Sequence, residues 1–272
     1  MEVLGVVPDL VAGASMGALV GAAWAAGRLD ALEDWARAMT AGRYVKLIDV
    51  RPANGGLVQA RKIAHVLHEL GLPERIEDLP RSFAAVATDM ESGREVWLRE
   101  GSLTDAVRAS VAIPGVISPH YFQDRWLLDG GLTNPVPVSL VRAMGASTVI
   151  AVNPCAKRGG RIWRAPEPKV PAWHELLARL PGARRGSVIQ YLKPPDPSRH
   201  PPHYLDVIAT AIDIMTEGIR RARLAGDPPD VMLPVLLEEM AVLDLHRAEP
   251  AIEAGRRAVL TQAEWIADLC GA

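Results

Sequence analysis

The stretch DLVAGASMGALVGAAWAAGR, residues 9–28, contains the clearest structural pattern in this chain. It opens with a short apolar run that ends in glycine, which predicts a buried β-strand. Small and apolar residues then continue from Ser15, and they predict a helix that ends near Gly27. Between them lies GASMG, residues 13–17, which fits the pattern G-x-S-x-G. That pattern is typical of a nucleophile elbow, where a serine occupies the tip of a sharp strand-to-helix turn.

Small residues flank this serine, as a sharp turn requires. Gly13, Ala14 and Gly17 have little or no side chain, so they avoid collisions between the strand and the helix. The first amides of a helix have no acceptor inside it, so they favour negative charge beside Ser15. The backbone amide of Met16 is therefore a candidate donor to an oxyanion.

The glycines of this stretch also allow a second interpretation, because the spacing G-x-x-x-G is that of a membrane-helix dimer face. The uncharged run over residues 10–26 is as short as the shortest membrane spans, and Pro8 and Asp9 interrupt the apolar sequence before it. An acidic residue directly after the first Met is unlike the basic start of a signal peptide. We therefore favour a buried strand and helix, with a small membrane-associated protein that is not an enzyme as an alternative.

Composition and charge exclude several classes of protein. The 272 residues are 49% hydrophobic and 23% charged, which is typical of a globular protein with a sizeable core. A net charge of -2 provides no general attraction to nucleic acid. Cys155 and Cys270 are too few for a disulfide framework and lack metal-ligand spacing, so we expect a reduced, cytoplasmic protein. No metal or cofactor motif is present, and we predict neither.

Strand and helix patterns alternate along the rest of the chain. This alternation predicts an α/β fold with a mainly parallel central sheet. The strand patterns cover residues 82–90, 94–98, 125–129, 147–153 and 230–236, and the helical patterns cover 29–40, 56–71, 102–112, 137–145, 204–226 and 249–270.

A second chemical motif occurs in LLDGGLTNPVPV, residues 127–138. Asp129 follows an apolar strand, so it lies at the strand end where sites form in α/β sheets. Gly130 and Gly131 would let the backbone approach closely there. An Asp-Gly pair is also common in simple turns, so the motif by itself leaves both roles open. Asp89, a second strand-end acid, is interpreted as structural.

Three motifs in order, GASMG, RASVAIPGVISP (108–119) and DGGLTNPVPV, resemble the patatin-like phospholipase family. The stretch over residues 86–110 looks like the middle of that family, and the stretch over 231–255 is similar to its bacterial branch. The resemblance covers residues 1–152 and 205–260. It implies a three-layer α/β/α patatin-like fold, formed as a single domain over residues 1–272.

The resemblance also implies a chemistry. Ser15 would be the nucleophile and Asp129 the general base of a serine–aspartate dyad that hydrolyses lipid acyl esters through an acyl-enzyme. A free aspartate has a pKa of about 3.9 and is a weak base, so Asp129 must be desolvated and within reach of the hydroxyl. The order of an α/β-hydrolase triad would also admit His203 or His246, but the resemblance implies no histidine.

The family resemblance further implies an oxyanion loop, G-G-G-x-x-G, that follows a first strand before the elbow. Twelve residues precede Gly13, and Gly5 is the single glycine among them. We therefore expect an N-terminally truncated fold in which the first strand and the glycine loop are absent. A catalytically impaired remnant or pseudoenzyme is thus a second alternative.

Residues 156–203 are rich in proline and differ in charge from the rest of the chain. They contain ten Lys or Arg against three acids, with Trp163, Trp173 and Tyr191 interspersed. We interpret the segment as an insertion or loop within the domain. Its composition is compatible with peripheral contact to an anionic membrane, and equally with a solvated loop.

Overall fold

The computed structural model describes residues 4–40, 43, 61–156, 204–237, 240 and 247–271. The strands are β1 (Leu10–Ala14), β2 (Ser82–Asp89), β3 (Glu95–Leu98), β4 (His120–Phe122), β5 (Arg125–Asp129), β6 (Ile150–Ala156) and β7 (Val231–Leu236). The α-helices of the described residues are α1 (Met16–Ala25), α2 (Leu29–Arg37), α3 (Arg61–Glu69), α4 (Leu103–Ser110), α5 (Val138–Ala143), α6 (Tyr204–Gly226), α7 (Ala248–Thr261) and α8 (Ala263–Cys270). The predicted α/β class is confirmed.

β2 is the centre of the main sheet. The strand β1 pairs with it in parallel, whereas β3 and β5 pair with it antiparallel, and β4 extends the sheet beyond β5. A second, parallel pair joins β6 to β7. In each parallel pair, helices lie along the chain between the two strands, because parallel neighbours need a long crossover connection.

The pattern of burial along β2 shows why helices lie on both faces of this sheet. Phe83, Ala85 and Ala87 belong to the largest core cluster, which also includes buried residues of α1, α2, α3 and α4. Ala84 and Val86 point to the other face, where they pack with a leucine of α5. A strand that is buried on both faces is apolar throughout, which explains the sequence SFAAVA. The three-layer α/β/α arrangement is thus confirmed.

The strands β1 and β5 meet end to end along one edge of β2. Ala87 pairs with Val96 of β3 and with Asp129 of β5, so β3 and β5 lie on opposite edges. Val86 likewise pairs with β3 and with Ala14 of β1, which places β1 on the same edge as β5. Because the two strands run toward each other, their last residues stand opposite neighbouring positions of β2. Ser15, the residue after β1, therefore faces the end of β5.

The closing helix differs from the sequence prediction. The predicted single helix over residues 249–270 is two helices, α7 and α8, which are separated at Gln262. This residue has φ −118° and ψ 20°, and its side-chain Nε2 donates to the backbone oxygen of Met232 at 2.8 Å. The bond to β7 thus coincides with the break, and a pattern of apolar spacing does not reveal such a break.

Two further predictions concern membranes. The basic segment 156–203 lies outside the described residues, apart from its first residue, which ends β6. Within the described ranges, no helix has the length and apolarity needed to span a bilayer. The helix α1 instead contributes Ala18, Leu19 and Ala22 to the core, and Gly21 faces Phe83.

Candidate functional site

Ser15 occupies a sharp turn between β1 and α1. Its backbone has φ 55° and ψ −126°, so φ lies in the left-handed range that non-glycine residues rarely adopt. Such a conformation costs on the order of 1–3 kcal/mol and persists only where the surroundings impose it. The structure therefore has a sharp turn at Ser15, between the strand and the first turn of the helix, which is the geometry that a nucleophile elbow requires.

The two glycines of the elbow are under different constraints. A Cβ at Gly13 would lie 2.1 Å from the backbone oxygen of Gly17, a distance at which the backbone would have to move. A Cβ at Gly17 would meet no atom within 4 Å. Gly13 is thus required because the backbone at the start of the helix lies directly against it. At position 17 the backbone crowds Gly13, but there is room for a side chain.

The amide of Ser15 is held by a buried serine from another part of the chain. Ser110 is the last residue of α4 and is 0% exposed. Its hydroxyl accepts a hydrogen bond from the Ser15 amide at 2.9 Å and donates one to the Val86 carbonyl at 2.6 Å. One side chain therefore connects the elbow to the central strand.

Asp129 is fixed at the end of β5 and is almost completely buried, with 6% exposure. Its Oδ1 accepts a hydrogen bond from the Gly131 amide at 2.7 Å. Its backbone carbonyl accepts one from the Thr88 hydroxyl at 2.9 Å, and that hydroxyl also bonds the Thr133 hydroxyl at 3.0 Å. Both the side chain and the backbone of the aspartate are thus anchored in the sheet and the following turn.

Burial raises the pKa of Asp129 to about 6, because the charged carboxylate is removed from water. Hydrogen bonding from the Ser15 hydroxyl, and then from the Gly131 amide, acts in the opposite direction and lowers that pKa. Oδ2 has no hydrogen-bond partner of standard geometry in the described part of the chain. The serine hydroxyl is therefore near enough to the carboxylate to lower its pKa, although the two groups are not aligned as in a standard hydrogen bond.

The two glycines after Asp129 allow the backbone of this turn to approach β2 and the carboxylate closely. A Cβ at Gly130 would lie 2.1 Å from the Val86 carbonyl oxygen, the same atom that accepts from Ser110. A Cβ at Gly131 would lie 3.0 Å from Oδ1 of Asp129. The two glycines thus let the turn pack against β2 and around the carboxylate.

A polar cluster fixes the loop that follows the glycines. Asn134 is 1% exposed, and its Nδ2 donates to Glu95 Oε1 at 2.8 Å and to the Ser139 hydroxyl at 3.0 Å. The other oxygen of Glu95 bonds Arg223 of α6 at 2.7 Å. The cluster connects the loop to β3 and to α6, which restricts movement of the turn that contains Asp129.

The other acids and histidines considered from the sequence lie elsewhere or beyond the described residues. Oδ1 of Asp89 accepts from the amides of Glu91 and Ser92 at 2.9 and 3.0 Å, as expected for a structural acid. His203 and His246 are outside the described residues. In the part of the chain that is described, no group of three or more His, Cys, Asp or Glu side chains is arranged to hold a metal ion.

Two residues of this site were not assigned roles from the sequence. Ser110 stands in RASVAIP, and Thr88 in VATDM. The signal at Ser110 is a hydroxyl between the apolar residues Ala109 and Val111 at a helix end, because a buried hydroxyl requires partners. Which partners it has depends on contacts across 95 residues of sequence for Ser15 and 24 for Val86.

Comparison with known proteins gives a family match that includes both turns of this site. Residues 1–142 match the family model described as patatin-like phospholipase. An uncharacterized NTE family protein of Mycobacterium tuberculosis (strain H37Rv) is 32% identical over 297 residues, which cover 93% of this chain and 82% of the relative. Patatin-like phospholipase domain-containing protein 6 of Mus musculus is 31% identical over 160 residues, which cover 56% of this chain and 12% of the relative.

Proposed function

Because this chain belongs to the patatin-like phospholipase family, we propose that it hydrolyses carboxylic esters of lipids, with Ser15 as nucleophile and Asp129 as general base. The resemblance predicted from the three sequence motifs is confirmed by the family match. The observation that supports these two roles best is the meeting of a strained serine with a buried carboxylate at the junction of β1 and β5.

The properties of Asp129 fit the work of a base. At neutral pH a carboxyl with a pKa of about 6 is mostly ionised, and it is a stronger base than an exposed aspartate. The contributions to its pKa come from burial, Ser15 and Gly131, none of which has a charge. The carboxylate is therefore tuned by desolvation.

These positions support a reaction in two stages. Asp129 accepts the proton of the Ser15 hydroxyl while the serine oxygen attacks the ester carbonyl carbon, and a tetrahedral oxyanion forms. The C–O bond to the alcohol breaks, and Asp129 returns the proton to the leaving oxygen. Water then attacks the acyl carbon and gives a proton to Asp129. The bond between the acyl carbon and the serine oxygen breaks, Asp129 returns the proton to that oxygen, and the fatty acid leaves.

The oxyanion in this proposal receives a hydrogen bond from the Met16 amide. Met16 is the first residue of α1, so its amide has no acceptor within the helix. The helix dipole adds a partial positive charge at the same place. A helix start directly after the nucleophile is the arrangement found in nucleophile elbows.

The proposal also places the protein in the cytoplasm, at the periphery of membranes that contain its substrate. The basic segment 156–203, with ten basic and three acidic residues, would bind anionic headgroups. Co-sedimentation with vesicles tests the proposed membrane contact. Binding to anionic but not to zwitterionic vesicles supports this contact, and equal binding to both contradicts it.

The proposed roles are tested with Ser15→Ala and Asp129→Asn. We expect each variant to lose at least about 10³-fold in ester hydrolysis, measured with a short-chain nitrophenyl ester and with a phospholipid. Asp89→Asn is the matched control, because it changes the other strand-end acid, and it should keep activity within about threefold.

A fluorophosphonate probe separates catalysis from substrate choice. It should label wild-type Ser15 in a one-to-one ratio and leave Ser15→Ala unlabelled. If the wild-type chain is folded but is neither labelled nor active on any ester, the proposed reaction is wrong and a non-catalytic role is favoured.

A further inference from the structure

We propose that Ser110 is a positioning residue of the elbow, one that holds Ser15 in its reactive conformation through the backbone; this inference rests on the proposed function. The hydroxyl of Ser110 contacts the Ser15 amide and not the reacting oxygen, so its effect on the reaction passes through the turn.

The Ser15 amide needs an acceptor from outside its own segment. The paired part of β1 ends at Ala14, and α1 begins at Met16, so the residue between them belongs to neither hydrogen-bonding ladder. The Ser110 hydroxyl supplies the acceptor at 2.9 Å. The Ser15 amide is partly buried, so the turn would be less stable if this amide had no partner.

The direction of both hydrogen bonds is unambiguous. An amide N–H can only donate and a carbonyl oxygen can only accept, so the Ser110 proton must point to Val86 and its lone pair to Ser15. Because the hydroxyl is 0% exposed, water does not compete for either bond. The side chain therefore forms a fixed bridge between the strained turn and β2.

The same bridge connects the two halves of the site. The Val86 carbonyl that accepts from Ser110 is the atom against which Gly130 packs, directly after Asp129. The backbone of Ser15, through Ser110, and the turn after Asp129 are thus both held in place by contacts to the same atom, the carbonyl oxygen of Val86 in the central strand. A displacement of about 1 Å in a catalytic site can reduce turnover about 100-fold, so the loss of this bridge should affect the rate of reaction more than substrate binding.

The test begins with Ser110→Ala, which removes the bridge and leaves the packing nearly unchanged. We expect kcat to fall about 10- to 100-fold with KM within about threefold of wild type, and fluorophosphonate labelling of Ser15 to slow to the same extent. Ser110→Cys, which retains a weaker donor and acceptor of similar size, should recover part of the loss and also serves if the alanine variant does not fold.

A second serine, Ser118, whose hydroxyl oxygen is buried, provides the matched control. The Ser118 hydroxyl oxygen is buried and has no hydrogen-bond partner among the described residues. Ser118→Ala should therefore leave kcat and the labelling rate within about twofold of wild type. An equal loss in both alanine variants would overturn the proposal, as would full activity in Ser110→Ala.

Amide hydrogen exchange decides the proposal independently of activity. The Ser15 amide should exchange at least about tenfold faster in Ser110→Ala than in wild type, relative to the amides of β2, and Ser118→Ala should not change it. Unchanged exchange at Ser15 contradicts the positioning role even if esters are hydrolysed. If the wild-type chain hydrolyses nothing, the proposed function fails, while the exchange result still accepts or rejects the role of Ser110.

Discussion

The turn at Ser15 and the turn at Asp129 hold their side chains in different ways. The serine is held by its backbone: its φ is 55°, and its amide is bound by Ser110. The aspartate has ordinary backbone angles, with φ −51° and ψ 134°, and its distinctive property is burial, which raises its pKa to about 6. In the proposed dyad, geometry therefore prepares the nucleophile and desolvation prepares the base.

The largest expected effect tests the backbone side of this comparison. Gly13→Ala should destabilise the fold by about 3 kcal/mol or more and prevent labelling of Ser15, because the added methyl group meets backbone at 2.1 Å. Gly17→Ala is the matched variant, and its stability should equal or exceed that of wild type, since the site is open and alanine favours helix. Urea unfolding measures the stability of both variants. Similar stabilities would show that the close backbone contact at Gly13 does not determine the shape of the turn.

A similar effect, of opposite sign, tests the burial of Asp129. Its folded pKa of about 6 lies above the usual value of 3.8, so the folded chain keeps this proton longer than the unfolded chain as pH rises. The contribution of the residue to the free energy of unfolding therefore falls between pH 3.8 and about 6, by about 3 kcal/mol in total, and is constant above.

The Asp129→Asn variant has no carboxyl group that titrates at this position, so its free energy of unfolding should lack the decrease between pH 3.8 and about 6. The difference in unfolding free energy between variant and wild type should grow in favour of the variant across the same window and then level off. Urea unfolding at several pH values measures it. A difference that does not change with pH would mean that the carboxyl is solvated.

The rate of reaction should follow the same titration. In the proposed dyad, labelling of Ser15 by a fluorophosphonate requires ionised Asp129, so its rate should rise about tenfold per pH unit below pH 6 and reach a plateau above it. Over the two units below the pKa this is about a 100-fold change. Stopped labelling reactions from pH 4 to 8 measure it, with circular dichroism as the control for folding. A midpoint of the labelling rate near pH 3.8, the usual aspartate value, would show that the burial of Asp129 does not control the reaction of Ser15.

The smallest expected effect concerns the support of the aspartate turn. Thr88→Val removes the hydroxyl that donates to the Asp129 carbonyl while it keeps the side-chain shape. We expect a loss of about 1–2 kcal/mol in the free energy of unfolding, with a fall in kcat that is smaller than that of Ser110→Ala. A larger fall in kcat for the threonine variant would reverse the comparison, because it would show that the base requires more backbone support than the nucleophile.

The local features of both turns could be predicted from the sequence. Glycines and alanines around Ser15, and the pair of glycines after Asp129, are requirements that each turn imposes on its own residues. The strands and helices on either side follow from apolar spacing, and the family follows from the order of the motifs. The break at Gln262 could not be predicted in this way, because it accompanies a side-chain bond to the backbone of β7.

The sequence by itself therefore determined the α/β class, the family and the two turns that contain the proposed dyad, since these depend on neighbouring residues. Tertiary structure alone decided that β1 and β5 end opposite Val86 and Ala87 on one edge of β2, which brings Ser15 to Asp129. It also decided the burial that raises the pKa of Asp129 and the contact of Ser110 with an amide 95 residues away. These features arise from strand pairing and packing between distant segments, and no short stretch of sequence encodes them.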